Sequence, residues 1–460
     1  TGVQTCALPI LMFWAPFILE SSLPAIVLAL IFIAVNAISI RKEALQGMHS
    51  TGRFTLGTVF YPIAFLILVI AFWNRDPTVL LVSFLILALG DPLAAQVGET
   101  AKNPRTFVLW RDTKSIQGSV ALGLSAFIIT LIGTPALNNL SGSAVPSIPM
   151  LILIALAVAV VGTLAEAMSR AGSDNLTLPL SVALVLDVLL RATPDQRWLF
   201  FLWLVVAFLF AYGAFRLKVL DLSGTVAAFL LGTAVFAIGG VRWMIPMGVF
   251  FVFSSLLSRF GKQKKVILET VYEKTGNRDM MQVFANGGVG GIMVLLWYYT
   301  RLDLFYFAFL GSLAAATADT WATEIGVFAQ QQPRHILNFK PVTMGTSGGV
   351  TAIGTTGAAF GAGLLTLSGW ILPVGEIPSF FQGRVFLVIV VSGIVGALID
   401  SVLGATVQAQ FRCANCGKTT EKSVHCGESS RHFRGYRWIN NDVVNLACTL
   451  TGAFLVLVLL

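Results

Sequence analysis

Residues 149–168 read PMLILIALAVAVVGTLAEAM: an unbroken apolar run with a single charge, Glu166, near its end. The run matches the ~20 residues a helix needs to cross the hydrocarbon core of a bilayer. It is continuous rather than alternating, which excludes a barrel strand. Comparable runs recur along the whole chain. Spans are expected at 22–40, 56–73, 78–97, 116–136, 149–168 and 175–191, and after a short break holding Pro194, at 198–214, 222–238, 243–258, 282–299, 303–322, 349–370, 384–404 and 442–460. The expected fold is therefore all-α and multi-pass, with about 14 transmembrane spans.

Composition agrees. Of 460 residues, 56% are hydrophobic and 11% charged, with a mean hydropathy of +0.83. Soluble domains carry about 25% charged residues. The net charge of +8 has an explanation in the loops. With strict alternation, one set of loops (41–55, 98–115, 169–174, 215–221, 259–281, 323–348, 405–441) collects most of the Lys and Arg residues. The positive-inside rule makes that set cytosolic, which predicts a cytoplasmic-membrane protein whose equipped loops face the cytosol. No aromatic-basic platform for single strands is present, so nucleic acid is not an expected partner. Residues 1–10, TGVQTCALPI, read as the translation of a sequencing adapter and are set aside, Cys6 with them. The cysteines supply no disulfide framework.

Two stretches match in order. GDPLAAQVGE, PRTFVLW and RDTKSIQGSVA in the first half face ADTWATEIGV, PRHILNF and KPVTMGTSGGVT in the second. The alignment pairs Asp91 with Asp319, Ala94 with Ala322, Gly98 with Gly326, Pro104-Arg105 with Pro333-Arg334, and Gly118 with Gly348. Glu166 then faces Asp400, and Asp174-Asn175 faces Asn440-Asn441-Asp442. Each pair falls at the expected cytosolic edge, so the predicted repeat is parallel rather than inverted.

Acidic groups near the ends of apolar helices are costly and point to function. Asp91, Glu166, Asp319, Glu324 and Asp400 all occupy such positions. Basic residues and small-residue turns accompany them. Lys114-Ser115 precedes Gly118-Ser119, and Lys340 precedes Gly345-Thr346-Ser347-Gly348-Gly349. Carboxylates hold Mg²⁺ through oxygen, Lys and Arg neutralise phosphate, and glycine-rich turns let backbone N–H groups approach an anion. Phosphoryl transfer needs these parts together.

Residues 41–191 resemble the phytol/dolichol kinase family on Asp91-x-x-Ala94-x-x-x-Gly98, Lys114-Ser115-x-x-Gly118-Ser119 and Glu166-x-x-Ser169-x-x-Gly172-x-Asp174-Asn175-x-x-x-Pro179. The family's Arg-Lys-x-x-His is imperfect, because Arg41-Lys42 is followed only distantly by His49. Residues 198–460 resemble the DUF92 family on Ala285-Asn286-Gly287-Gly288, Ala318-Asp319-Thr320-Trp321-Ala322-Thr323-Glu324-Ile325-Gly326, Gly345-Thr346-Ser347-Gly348-Gly349-Val350-Thr351 and Asp400-Ser401-x-Leu403-Gly404-Ala405-Thr406. These resemblances imply domains at 11–191 and 192–460. They also imply successive phosphorylation of an isoprenoid alcohol to its monophosphate and diphosphate, with CTP or another nucleoside triphosphate as donor.

The expected catalytic residues are Asp91, Glu166, Asp174 and Asn175 in the first half, and Asp319, Glu324, Asp400 and Asp442 in the second. Phosphate and nucleotide contacts are expected from Arg53, Arg105, Lys114, Ser115, Gly118, Ser119, Arg278, Asn286, Lys340 and Gly345–Gly349. Mg²⁺ is the expected cofactor. Cys413-x-x-Cys416 with His425-Cys426 offers four ligands to a structural zinc ion. Expected partners are membrane lipid, the alcohol and its phosphate. The competing readings are a lipid cytidylyltransferase and a transporter with parallel repeats.

Overall fold

The computed structural model describes residues 14–41, 56–141, 145–260, 277–372, 379–417, 419–421 and 423–460. In chain order the helices begin with α1 (Leu23–Arg41), α2 (Gly57–Phe72), α3 (Pro77–Leu85), a π-helical turn (Ile86–Gly90) and α4 (Asp91–Thr100). A hairpin of β1 (Thr106–Val108) and β2 (Thr113–Ser115) leads to α5 (Ile116–Ser141), α6 (Ile148–Ala167), α7 (Asp174–Arg191) and α8 (Pro194–Arg216). Next come α9 (Leu222–Thr233), a second π-helical turn (Ala234–Ile238), α10 (Val241–Phe260), α11 (Met280–Thr300) and α12 (Leu304–Gly326). Then β3 (Arg334–His335) pairs antiparallel with β4 (Gly349–Val350), followed by α13 (Ala352–Ser368) and α14 (Ser379–Thr406). The strands β5 (Gln410–Arg412), β6 (Thr419–Thr420), β7 (Val424–His425), β8 (Glu428–Ser429) and β9 (Arg431–Arg434) precede the last helix, α15 (Asn441–Leu459).

This is a multi-pass α-helical membrane architecture. Among the described residues, nine helical segments are long and apolar enough to cross a bilayer. The apolar helices α2, α9 with its π turn, and α13 are shorter. Helices α7 and α12 fall outside both groups for a physical reason: they carry Asp174, Asp187 and Arg191, and Asp319 and Glu324, respectively.

The chain forms two compact units, Thr1–Leu199 and Phe200–Leu460. In the first, the π turn has a local cause. Pro92 has no N–H to continue the helical ladder, so the hydrogen-bond register shifts just before it. Asp91 begins the helix that resumes. In the second unit α12 is the hub, with every residue from Tyr306 to Ala318 buried. It packs against α10, α11, α13, α14 and α15. Small residues permit this crowding: a Cβ on Gly396 would lie 2.6 Å from the Cβ of Ala315.

Candidate functional site

In the first unit, four elements converge. Asp91 opens α4, Lys114 lies on β2, Glu166 stands in the last turn of α6 and Asp174 opens α7. The carboxylate oxygens of Asp91, Glu166 and Asp174 can lie within 4.8 Å of one another. Lys114 donates a hydrogen bond to Glu166 and another to Asp174 Oδ2 at 3.4 Å. Ser169 Oγ donates to the same Asp174 oxygen at 3.2 Å. Burial opposes the charge on Lys114, but Glu166 and Asp174 outweigh it and hold the ammonium above its ordinary value. The hairpin that carries Lys114 is tied down: Asp112 accepts from the Ala171 N–H at 3.0 Å, and Arg170 lies over the Trp110 ring.

The other residues expected in this half have different roles. Ser115 caps α5, its Oγ accepting from the Gly118 N–H at 3.1 Å. Gly118 packs: a Cβ there would stand 2.7 Å from the Ala94 carbonyl oxygen. Asn175 donates to the Gly172 carbonyl at 3.2 Å and so shapes the turn before α7. Arg105 is exposed, and Ser119 is half-buried one turn into α5. Arg53 and His49 lie outside the described residues.

The same cap and close approach recur in the second unit. Thr351 Oγ1 accepts from the Gly354 N–H at 3.0 Å, and a Cβ on Gly354 would stand 2.7 Å from the Ala322 carbonyl oxygen. The local geometry of Gly118 is thus shared by Gly354, not by Gly348, and the residue before the cap is Val350 where the first unit has Lys114. The intervening loop is longer in the second half, which displaces a match made on the order of lysine and glycine.

The second unit holds a polar cleft of about 380 Å³. Asp319, Glu324 and Asp400 line it, as do Arg278, Asn286 and residues 346–349. Asp319 and Asp400 stand side by side, and Ser258 Oγ donates to Glu324 at 2.9 Å. Gly345 faces an adjoining pocket shared with Asp319 and Ser401. Two expectations change here. Lys340 is exposed on the β3–β4 hairpin and is not among the lining residues; among the described residues the cations there are Lys218, Arg259 and Arg278. Asp442 is buried in the first turn of α15, while Asn441 and Asn445 reach the cleft.

The glycine-rich turn also differs from an open anion cradle. Thr346 N–H donates to Thr343 O and Gly349 N–H to Thr346 O, with Gly345 at φ 85° and Gly348 at φ 81°. These are consecutive turns of type II geometry, whose third position favours glycine. Two N–H groups of the cradle are consequently consumed by the turns. A Cβ on Gly348 would also meet Ala405 and come within 2.9 Å of the Ser401 carbonyl oxygen, so this glycine lets the turn lie against α14.

Sequence reasoning missed Glu421. It belongs to the Cys/His loop, is buried, lines the cleft and accepts a 2.9 Å hydrogen bond from Ser347 Oγ. Its only sequence signal is a carboxylate lying between two Cys/His pairs. Those pairs do come together: one donor atom from each of Cys413, Cys416, His425 and Cys426 lies within 4.8 Å of the others. The Cys413 thiol is pulled down to about 6 by hydrogen bonds from the Cys416 N–H and with His425.

The family model described as integral membrane protein DUF92 matches residues 205–453. The chain belongs to the DUF92 family. It is 33% identical over 286 residues to Protein PGR of Arabidopsis thaliana, covering 58% of this chain and 97% of that protein. A phytol kinase of a Synechocystis species is 32% identical over 152 residues, 33% of this chain and 62% of the kinase. The chloroplastic protein VTE6 of Arabidopsis thaliana is 24% identical over 245 residues, 52% of this chain and 65% of that relative. No solved structure matches. The DUF92 match contains Asp319, Glu324, Asp400, Glu421 and all four residues of the Cys/His group.

Proposed function

We propose that this DUF92-family chain is a membrane kinase of isoprenoid lipids, making the monophosphate in its first unit and the diphosphate in its second. One observation carries the reading. The polar cleft adjoins an apolar pocket of about 50 Å³ lined by Phe210, Leu231, Phe236 and Met247, and the two share Phe250, Arg278, Gln282 and Asn286. A charged head and the first carbons of a tail fit such a junction, with the rest of the tail along helix faces in lipid. The similarity to a phytol kinase supports the same substrate class.

The difference between the units supports the order of steps. An alcohol must lose a proton as it attacks, so the first step needs a base. Lys114 engages Glu166 and Asp174, and Asp91 is the remaining carboxylate of that group. We assign Asp91 as acceptor of the hydroxyl proton. The alcohol oxygen bonds to the γ-phosphorus, the bond from that phosphorus to the bridging oxygen breaks, and the nucleoside diphosphate leaves. In the second step the attacking atom is an anionic phosphate oxygen, which needs charge neutralisation instead. Lys218, Arg259 and Arg278 line that cleft.

The three clustered oxygens of the first unit fit a hard divalent cation. Glu166 and Asp174 would hold it once Lys114 turns to a phosphate, which leaves Asp91 as the base; in the second unit Asp319 and Asp400 would hold it. Mg²⁺ would neutralise the phosphates of the donor. Purified protein incubated with CTP or ATP, Mg²⁺ and phytol should yield phytyl monophosphate and diphosphate by mass analysis. A lipid product retaining the nucleoside would establish a cytidylyltransferase instead. Nucleotide-independent lipid flux in sealed proteoliposomes, without phosphorylated product, would establish a transporter.

A further inference from the structure

The loop between α14 and α15 carries three sulfurs and an imidazole that phosphoryl transfer does not use. Hard Mg²⁺ prefers oxygen, whereas this donor set is soft. Each pair sits on a tight turn. Cys413-x-x-Cys416 is closed by the Gly417 N–H donating to the Cys413 carbonyl at 3.1 Å. His425-Cys426 lies at the tip of the β7–β8 hairpin, whose two central residues are Cys426 at φ 54° and Gly427 at φ 80°. Two positive φ values make a type I′ turn. A cysteine is an uncommon occupant of that backbone region, and here it brings a sulfur to the cluster.

The distances suit a tetrahedral ion. Cys416 Sγ and Cys426 Sγ lie 3.5 Å and 3.2 Å from His425 Nδ1. Tetrahedral bonds of ~2.3 Å to sulfur and ~2.0–2.1 Å to nitrogen place those atoms about 3.5 Å apart. Three thiolates with one imidazole favour zinc over a four-thiolate iron centre.

The loop also reaches the cleft. The sheet β6-β5-β9 is held to the end of α14, with Arg434 donating to the Gly404 carbonyl at 3.2 Å and the Tyr436 N–H to the Val407 carbonyl at 2.9 Å. Between the two ligand pairs stands Glu421, bonded to Ser347 in the turn that walls the cleft.

We propose that Cys413, Cys416, His425 and Cys426 bind a zinc ion, and that the metal-held loop is a strut fixing Glu421 against the 343–349 turn. The metal site stands on its own geometry; the importance of the strut rests on reading the cleft as the second active site. Glu421 is a positioning residue in this scheme, acting through Ser347.

The test uses the full chain in detergent. Metal analysis should find a single zinc ion per chain, and cobalt substitution should give the spectrum of tetrahedral thiolate coordination. Cys416→Ser and Cys426→Ser should lose the ion. If those variants fail to fold, the wild-type cobalt spectrum decides the site. Wild-type protein that neither retains zinc nor takes up Zn²⁺ or Co²⁺ overturns the metal site, as do variants that keep full zinc. For the strut, amide hydrogen exchange is measured before and after zinc removal. Exchange in residues 343–349 should rise about tenfold, the loss expected of a charge-assisted hydrogen bond. A Glu421→Ala variant, which has no acceptor for the Ser347 hydroxyl, should retain zinc and show the same rise. Unchanged exchange in that turn, with the ion gone, overturns the strut. These readouts do not depend on kinase activity, so failure of the kinase reading stays distinguishable.

Discussion

Replacing Lys114 by methionine separates an ion pair that merely braces the first unit from a cation that holds a place in a metal-binding site. Lys114, Glu166 and Asp174 have side chains 18%, 8% and 19% exposed, so solvent screens them only partly. Without the ammonium, Asp91, Glu166 and Asp174 face one another with oxygens within 4.8 Å. Two like charges at that distance repel by about 3.5 kcal/mol at an effective dielectric constant of ~20. Protonation and small movements absorb part of this, so a net loss of about 3 kcal/mol is expected, near the lower end for breaking a buried pair. For a unit of this size that corresponds to a melting point roughly 6–12 °C lower. The assay is thermal unfolding of detergent-solubilised Lys114→Met by intrinsic fluorescence, in EDTA and in excess Mg²⁺. Mg²⁺ should restore most of the lost stability, because a divalent ion takes over the vacated charge, while alcohol phosphorylation stays lost. Equal destabilisation with and without Mg²⁺ would refute the metal-site reasoning and leave Lys114 a brace.

The remaining expectations are these. Asp91→Asn should abolish alcohol phosphorylation while supplied monophosphate is still converted, and Asp319→Asn should let monophosphate accumulate; lipid mass analysis checks both, and joint loss of the two steps in either folded variant would indicate one shared site. Gly348→Ala should reduce ligand-free stability by roughly the 1–3 kcal/mol cost of overpacking and lower the melting point accordingly, since the new Cβ meets α14; unaltered melting with weakened nucleotide binding would restore the open-cradle reading. The raised pKa of Lys114 makes its stabilisation fully present below the ordinary 10.5 and lost as pH climbs through the higher folded value. The melting gap between wild type and Lys114→Met, measured in EDTA, should therefore stay flat from about pH 8 to 10 and narrow only above that.

Helix positions were legible because bilayer thickness leaves a long signature: each expected span coincides with a helix, or with a helix continued by a π turn. The carboxylates were legible for a related reason, since an acid at the end of an apolar run is costly and stands out. Assigning the cations required three dimensions. Lys340 follows Arg334 in a pattern like that of the first half, yet the hairpin turns it to solvent, and the lining cations Lys218, Arg259 and Arg278 come from just after α8, from the end of α10 and from two residues before α11. Glycines misled for a complementary reason. Gly118 and Gly348 resemble each other in sequence because both permit close approach, but Gly118 meets the Ala94 backbone and Gly348 meets α14. The glycine that shares the geometry of Gly118 is Gly354, recognised by its hydroxyl cap, Thr351, three residues earlier. Cap-to-glycine spacing fixes where a helix begins, whereas glycine alone fixes only that something is near. For the same reason Glu421 could not be found from its neighbours in the chain: its role depends on a loop held by side chains that flank it, folded back on a turn 74 residues away.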